Sequence, residues 1–305
     1  MRIPNLTISD AVVSRLNVLR GKQNEINQQL ATGQRVTLAS EDPAAVSRIM
    51  TLRSEVAVTQ QYSRNVDLAT GISQATGSAL TSLVEISSRA GELAALTSGG
   101  TASAAERTSY AVELNQLISQ AIEAGNSRFN GQYLFNGINS ENAPFAADVS
   151  GVGDSVDHPT GVDLTNLSAT DGNTIQLSDS LAVSPYSRAV NNAKIGTFVT
   201  NLVVLRNAME ANDTTAIATA RRGLATSEGD VINSLAENSA GRGRLESIKT
   251  WADQRFTDLN GLIGRETDVD IAQSMVDLTK TQTAYQAALQ AGAQILKLSL
   301  LDYVR

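Results

Sequence analysis

Near the start of the chain Val12, Leu16, Leu19, Gln23, Ile26 and Leu30 follow one another at steps of four, three, four, three and four. That heptad spacing lays five apolar side chains and one glutamine along a single narrow stripe of a helix. The other end repeats the device with Met275, Leu278, Gln282, Tyr285, Leu289, Gly292 and Leu296, and Leu300 extends it. A lone amphipathic helix of this length is marginal in water. The two ends are therefore expected to pair, with each other and with further copies of the chain.

What lies between offers them little to pack on. Aromatic residues make up 4% of the 305 residues, while Ala, Ser, Thr, Asn and Gln abound. Large side chains supply most of the buried area of a globular interior, so such a chain reads as long packed helices. The absence of cysteine excludes disulfides and thiolate chemistry. A single histidine argues against a His-based metal site, and no run approaches the roughly eighteen apolar residues of a membrane span. The start, MRIPNLTISD, lacks the basic head and apolar stretch of a secretory leader. The net charge of −7 equals the seven acidic residues between Glu141 and Tyr186, a stretch without Lys or Arg. A solvent-facing acidic insert follows, and nucleic acid, which needs basic clusters, is not expected as a partner.

Along the chain, the first helix should stop at Thr32-Gly33. Asp42 as N-cap with Pro43 in the first turn should open a second helix reaching about Ser98, weakened at Gly71 and Gly77. Some fifty helical residues would span roughly 75 Å. Ser103 and Glu106 form a capping box for a third helix through Ile122. Helical character ends after Asn126. Asp171-Gly172 is expected to be a hairpin turn leading into an alternating strand at 174–178. Helices resume around Phe198–Met209 and from Thr214 to about Leu262, with Gly241 and Gly243 as interruptions. Thr267, with Asp270 three residues on, is the expected cap of the last helix, which runs almost to Arg305.

The expected fold is mainly α with a small β insert: a long antiparallel bundle or coiled coil from both chain ends plus an outward β-rich domain. Terminal coiled-coil helices occupy 1–42 and 264–305, a helical body 43–140 and 190–263, and the insert 141–189.

Candidate chemistry is sparse. His158 sits near Asp154, Asp157 and Asp163, but the spacing matches no calcium loop, and a solvated acidic loop is the preferred reading. Arg242-Gly-Arg244 is too short for a nucleic-acid patch. No catalytic, cofactor or metal residue is assigned, and an enzyme is not expected. Tyr133, Phe135 and Phe145 stand out among so few aromatics as a contact between the insert and the helices, or with a neighbouring subunit.

Two stretches carry a resemblance. Leu30-Ala-Thr-Gly-Gln-Arg-Val36 followed by Ser40-Glu-Asp-Pro-Ala-Ala45 resembles the N-terminal region of the flagellin superfamily. Gly131-Gln-Tyr-Leu-Phe-Asn-Gly137 with Pro144-Phe145, and the ending Ser299-Leu-Leu-Asp-Tyr303, are similar to the hook–filament junction branch rather than the filament branch. Ala240-Gly-Arg-Gly-Arg-Leu-Glu246 departs from the family spacing. The resemblance implies an adaptor ring between hook and filament, with filament flagellin itself as the alternative. It implies an extracellular place in the flagellum, reached by type III export without a cleaved signal peptide. Implied partners are copies of itself, a neighbouring hook-associated protein, flagellin, and an export chaperone at the C-terminal helix. The self-assembly residues would be Val12, Leu16, Leu19, Ile26 and Leu30 with Met275, Leu278, Tyr285, Leu289, Leu296 and Leu300.

Overall fold

The computed structural model describes residues 5–99, 102–149 and 158–303, with side chains between 10 and 294. Among the described residues six helices carry the fold: α1 (Asn5–Thr32), α2 (Pro43–Ser98), α3 (Ala104–Gly125), α4 (Ala189–Glu210), α5 (Thr214–Thr267) and α6 (Ile271–Tyr303). Between α3 and α4 the described residues form three two-stranded antiparallel ladders: β1 (Arg128–Phe129) with β2 (Gln132–Tyr133), β3 (Ala146–Asp148) with β4 (Gly161–Asp163), and β5 (Ile175–Ser178) with β6 (Leu181–Val183). The chain forms two compact units, residues 1–58 with 255–305 and residues 59–254, whose limits fall inside α2 and α5 rather than at helix ends.

In the larger unit, α2 and α5 segments, α3 and α4 enclose one apolar core. Leu80, Leu83 and Leu93 meet Leu114 and Ile118, Phe198 and Leu202, and Ile217 and Leu224, all essentially without exposure. Burying each is worth about 1.5–3 kcal/mol. The capping box at the start of α3 is complete: the Glu106 N–H donates to Ser103 Oγ at 3.3 Å and the Ser103 N–H to the Glu106 carboxylate at 2.7 Å.

Two arginines that the heptad reading passes over are buried here. Arg107 donates to the carbonyls of Thr97 and Gly99 and to Asn212 Oδ1, satisfying the carbonyl-rich end of α2. Arg206, 1% exposed, donates to Asn115 Oδ1 at 2.7 Å and to the Pro159 carbonyl at 2.6 Å, tying the loop before β4 to α3 and α4.

Three local expectations are corrected. α2 runs unbroken through Gly71 and Gly77, and Gly71 seats the Phe129 ring, whose nearest atom would be 2.8 Å from an added Cβ. Gly241 and Gly243 likewise leave α5 unbroken. Asp171-Gly172 makes no hairpin. Asp171 Oδ1 instead accepts the Ala189 N–H at the start of α4, Gly172 lies against Tyr186, and the turn of β5–β6 follows the strand at Asp179-Ser180. The primed turn sits at Asn130-Gly131, with φ of +50° and +81°, joining β1 to β2. Finally, Asp270 rather than Thr267 caps α6: its Oδ1 accepts the Gln273 N–H, while the Thr267 hydroxyl donates to the Ile263 carbonyl.

Candidate self-assembly surface

The smaller unit begins with α1 against α6. On α1 the expected stripe faces inward: Ile26 is 5% exposed, and Val12, Leu16, Leu19, Gln23 and Leu30 are half-buried among more exposed neighbours. On α6 the covered stripe is Ser274, Leu278, Thr281, Tyr285, Ala288 and Gly292. It too advances at steps of four and three, but its side chains are mostly small. An added Cβ at Gly292 would come within 3.0 Å of Val12 Cγ1, and Gly33 at the other end of α1 bonds to Val269. The two helices therefore run antiparallel, close together at Gly292.

The α6 seam read from sequence is thus split. Leu278 and Tyr285 lie on the covered side. Met275 and Leu289 do not: they are 58% and 45% exposed, on an outer face shared with Ile271 and Val276. The small stripe allows a closer approach to α1, and this rotates the bulky side chains outward. A shallow groove runs along that outer face past Met275, Val276, Thr279, Thr283 and Ala287. On α1, Val13 and Val18 are exposed as well. Leu296 and Leu300 fall outside the described side chains.

A polar knot holds the base of the helix pair. The Arg35 N–H donates to the Thr267 carbonyl at 2.7 Å and the Val269 N–H to the Gly33 carbonyl at 3.0 Å, so the α1–α2 and α5–α6 connections meet in a single antiparallel bridge, Gln34 opposite Asp268. The Arg35 guanidinium reaches the Glu266 carbonyl and Asp42, and Arg48 grips the Glu266 carboxylate at 3.2 and 2.9 Å. The Arg48 hydrogen bond is the main cause that holds the Glu266 carboxyl below its ordinary range. The N–H groups of Thr37 and Leu38 do the same for Glu41, and that of Ala45 for Asp42, the N-cap of α2. Gly33, at φ +71°, makes the turn out of α1. Periodicity alone gives no sign of this knot; the clustered Gly, Arg, Glu, Asp and Pro of residues 33–43 do.

The three aromatics lie in the other unit and are core. Phe135 is 0%, Phe145 1% and Tyr133 7% exposed, so they present no outer surface to another copy. Between them Asn136 clamps the loop: its amide nitrogen donates to the carbonyls of Asn139 and Asn142, and its oxygen accepts the Ser168 N–H at 2.7 Å. His158 Nε2 lies 2.9 Å from Glu210 Oε1, Asp163 accepts the Thr165 N–H, and Asp154 and Asp157 are outside the described residues. Among the described residues no group of three or more such side chains could hold a metal, and no helix is long and apolar enough to cross a membrane.

Residues 5–140, which build α1, α2, α3 and the first hairpin, match the bacterial flagellin N-terminal helical region. Over that stretch the chain is similar to the flagellins. Along most of its length the chain is 26% identical to flagellar hook-associated protein 3 of Escherichia coli, over 90% of each chain, and 25% identical to that of Salmonella typhimurium over the whole of both. The 30.7 kDa flagellar filament core protein of Treponema maltophilum is 25% identical over 96% of this chain and 95% of its own. Among solved structures, a putative flagellar hook-associated protein from Vibrio parahaemolyticus superposes with a TM-score of 0.64 at 14% identity, covering 75% of this chain and all of its own. FlgL of Bacillus cereus does so at 0.57 and 18% identity, covering 70% and 99%. The fold is shared with both.

Proposed function

We propose that this chain is a structural subunit of the bacterial flagellum, an adaptor that joins hook to filament through helix–helix contacts between copies. The observation that carries the reading is likeness from end to end to two hook-associated proteins, over 90% and 100% of the chain, rather than over one module. The geometry supplies a means. Within one copy α6 spends its small-residue stripe on α1 and leaves Ile271, Met275, Val276 and Leu289 open. Covering Met275 and Leu289 in a neighbour would stabilise each contact by about 1.5–3 kcal/mol per side chain. Because the exposed valines of α1 and the open face of α6 belong to the same chain, copies can associate head to tail, and such contacts close into rings when the rotation allows.

The role is mechanical rather than catalytic. Its partners would be copies of itself, the adjoining hook-associated protein and flagellin, with an export chaperone on α6 before assembly. Its place would be outside the cell, reached through the flagellar export apparatus without cleavage of a signal peptide. The filament alternative is less favoured, since the Gly131–Gly137 motif and two whole-chain relatives at 26% and 25% identity lie with the hook-associated proteins. A bacterium lacking this chain should build hooks and release unattached filament subunits, and the wild-type chain should restore filaments. Normal filaments in its absence would overturn the proposal. Long filaments grown from the purified chain on a seed would favour the alternative.

A further inference from the structure

Asn-Gly occurs three times, at 130–131, 136–137 and 260–261. The dipeptide is the same each time, but the surroundings differ. Asn136 has no exposure, and both ends of its amide are engaged. Asn260 lies inside α5, where its amide donates to the Phe256 carbonyl at 2.9 Å and helical backbone fixes the following residue. Asn130 is exposed at the tip of the β1–β2 hairpin, and its side chain takes no hydrogen bond among the described residues. The next residue, Gly131, offers its N–H to no ladder partner, and an added Cβ there would meet nothing within 4 Å.

We propose that Asn130 is a site of spontaneous deamidation, chosen by the fold over the other two Asn-Gly steps. The Gly131 amide nitrogen gives up its proton to solvent base and attacks Cγ of Asn130. The Cγ–Nδ2 bond breaks and ammonia leaves, closing a five-membered succinimide. Water then opens the ring, at Cγ to give aspartate or at the main-chain carbonyl to give isoaspartate. The balance is one water in and one ammonia out. The left-handed backbone of Asn130 must open before the nitrogen can reach Cγ. With only two residues paired on each strand, that opening is a small local event. Either product sets a carboxylate two residues from Arg128, whose guanidinium stacks 4.1 Å from the Tyr133 ring. Isoaspartate also lengthens the main chain between Phe129, seated on Gly71, and Gln132.

The test is incubation of the folded chain at neutral and mildly alkaline pH, followed by peptide mapping with an isoaspartate assay. A parallel sample is held in denaturant. Conversion at 130 should exceed that at 136 and 260 by more than about tenfold in the folded chain, because those sites need a larger opening of the structure. In denaturant the three should convert at similar rates. Failure of Asn130 to convert in the folded chain while it converts in denaturant would overturn the proposal. So would equal conversion at all three sites in the folded chain.

Discussion

At the scale of single residues, the side chains that matter most are polar and hard to see in a pattern. Asn136 satisfies two carbonyls and one N–H with a single side chain. Asn136→Ala removes those bonds: the Asn139 carbonyl keeps the Asn142 N–H, while the Asn142 carbonyl and the Ser168 N–H lose this partner, at about 1–3 kcal/mol for each that water cannot reach. Chemical denaturation of the larger unit is expected to lose about 2–3 kcal/mol. Val112→Thr, at a position 60% exposed, should change it by less than about 0.5 kcal/mol.

The knot around Arg35 makes a prediction in pH. Glu266, Glu41 and Asp42 are each held below their ordinary values of 4.5, 4.5 and 3.8. A lowered folded value means stabilisation that is complete above the ordinary value and lost as pH falls through the lowered one. The protection of amides over residues 33–42, their exchange relative to the intrinsic rate at each pH, should therefore be unchanged from neutral pH down to about 5 and fall below about 4. Glu266→Gln, which keeps the shape and removes the charge, should flatten part of that response. A response identical in the variant would assign the pH dependence to other groups.

At the scale of elements, much was legible and the misses are instructive. Stripe positions on α1, Asp42 and Pro43 at the start of α2, and the Ser103–Glu106 box follow from spacing and capping chemistry that need no tertiary information. Glycine was misread where packing overrides propensity, as at Gly71 under Phe129. On α6 two stripes share the heptad step. Leu278, Tyr285 and Gly292 belong to both, but the structure covers Ser274, Thr281 and Ala288 rather than Met275, Gln282 and Leu289, because small side chains allow close approach and no one-dimensional pattern records interhelical distance. One hairpin signal was misread and another passed over for a similar reason. Asp171 is claimed by the start of α4, while Asn130-Gly131 takes the primed turn.

Two paired substitutions separate the faces of α6. Leu16→Asp with Leu278→Asp should unzip α1 from α6, seen as fast amide exchange across 12–30 and 274–292. Met275→Asp with Leu289→Asp should leave that protection intact and abolish incorporation into flagella. Gly292→Val, forced against Val12, should cost the helix pair about 1–3 kcal/mol through overpacking, read as faster exchange confined to the smaller unit.

At the scale of the whole molecule, the two units are built differently. The larger unit keeps a contiguous apolar core from four helical segments. The smaller is a helix pair on a polar knot with apolar side chains still open on its surface. Such an imbalance suits a chain whose ends complete their burial only among other copies, and the unit that moves with assembly should be the smaller one. The most direct test uses the absence of cysteine from the natural sequence. A Met275→Cys chain carries one thiol, and its maleimide labelling can be timed in the free subunit and in intact isolated flagella. The account predicts rapid labelling of the free chain, strong protection in flagella, and full labelling once the flagella are dissociated. Equally rapid labelling in free chain and flagella would contradict it, because the open face of α6 would then remain open in the assembly it is proposed to build.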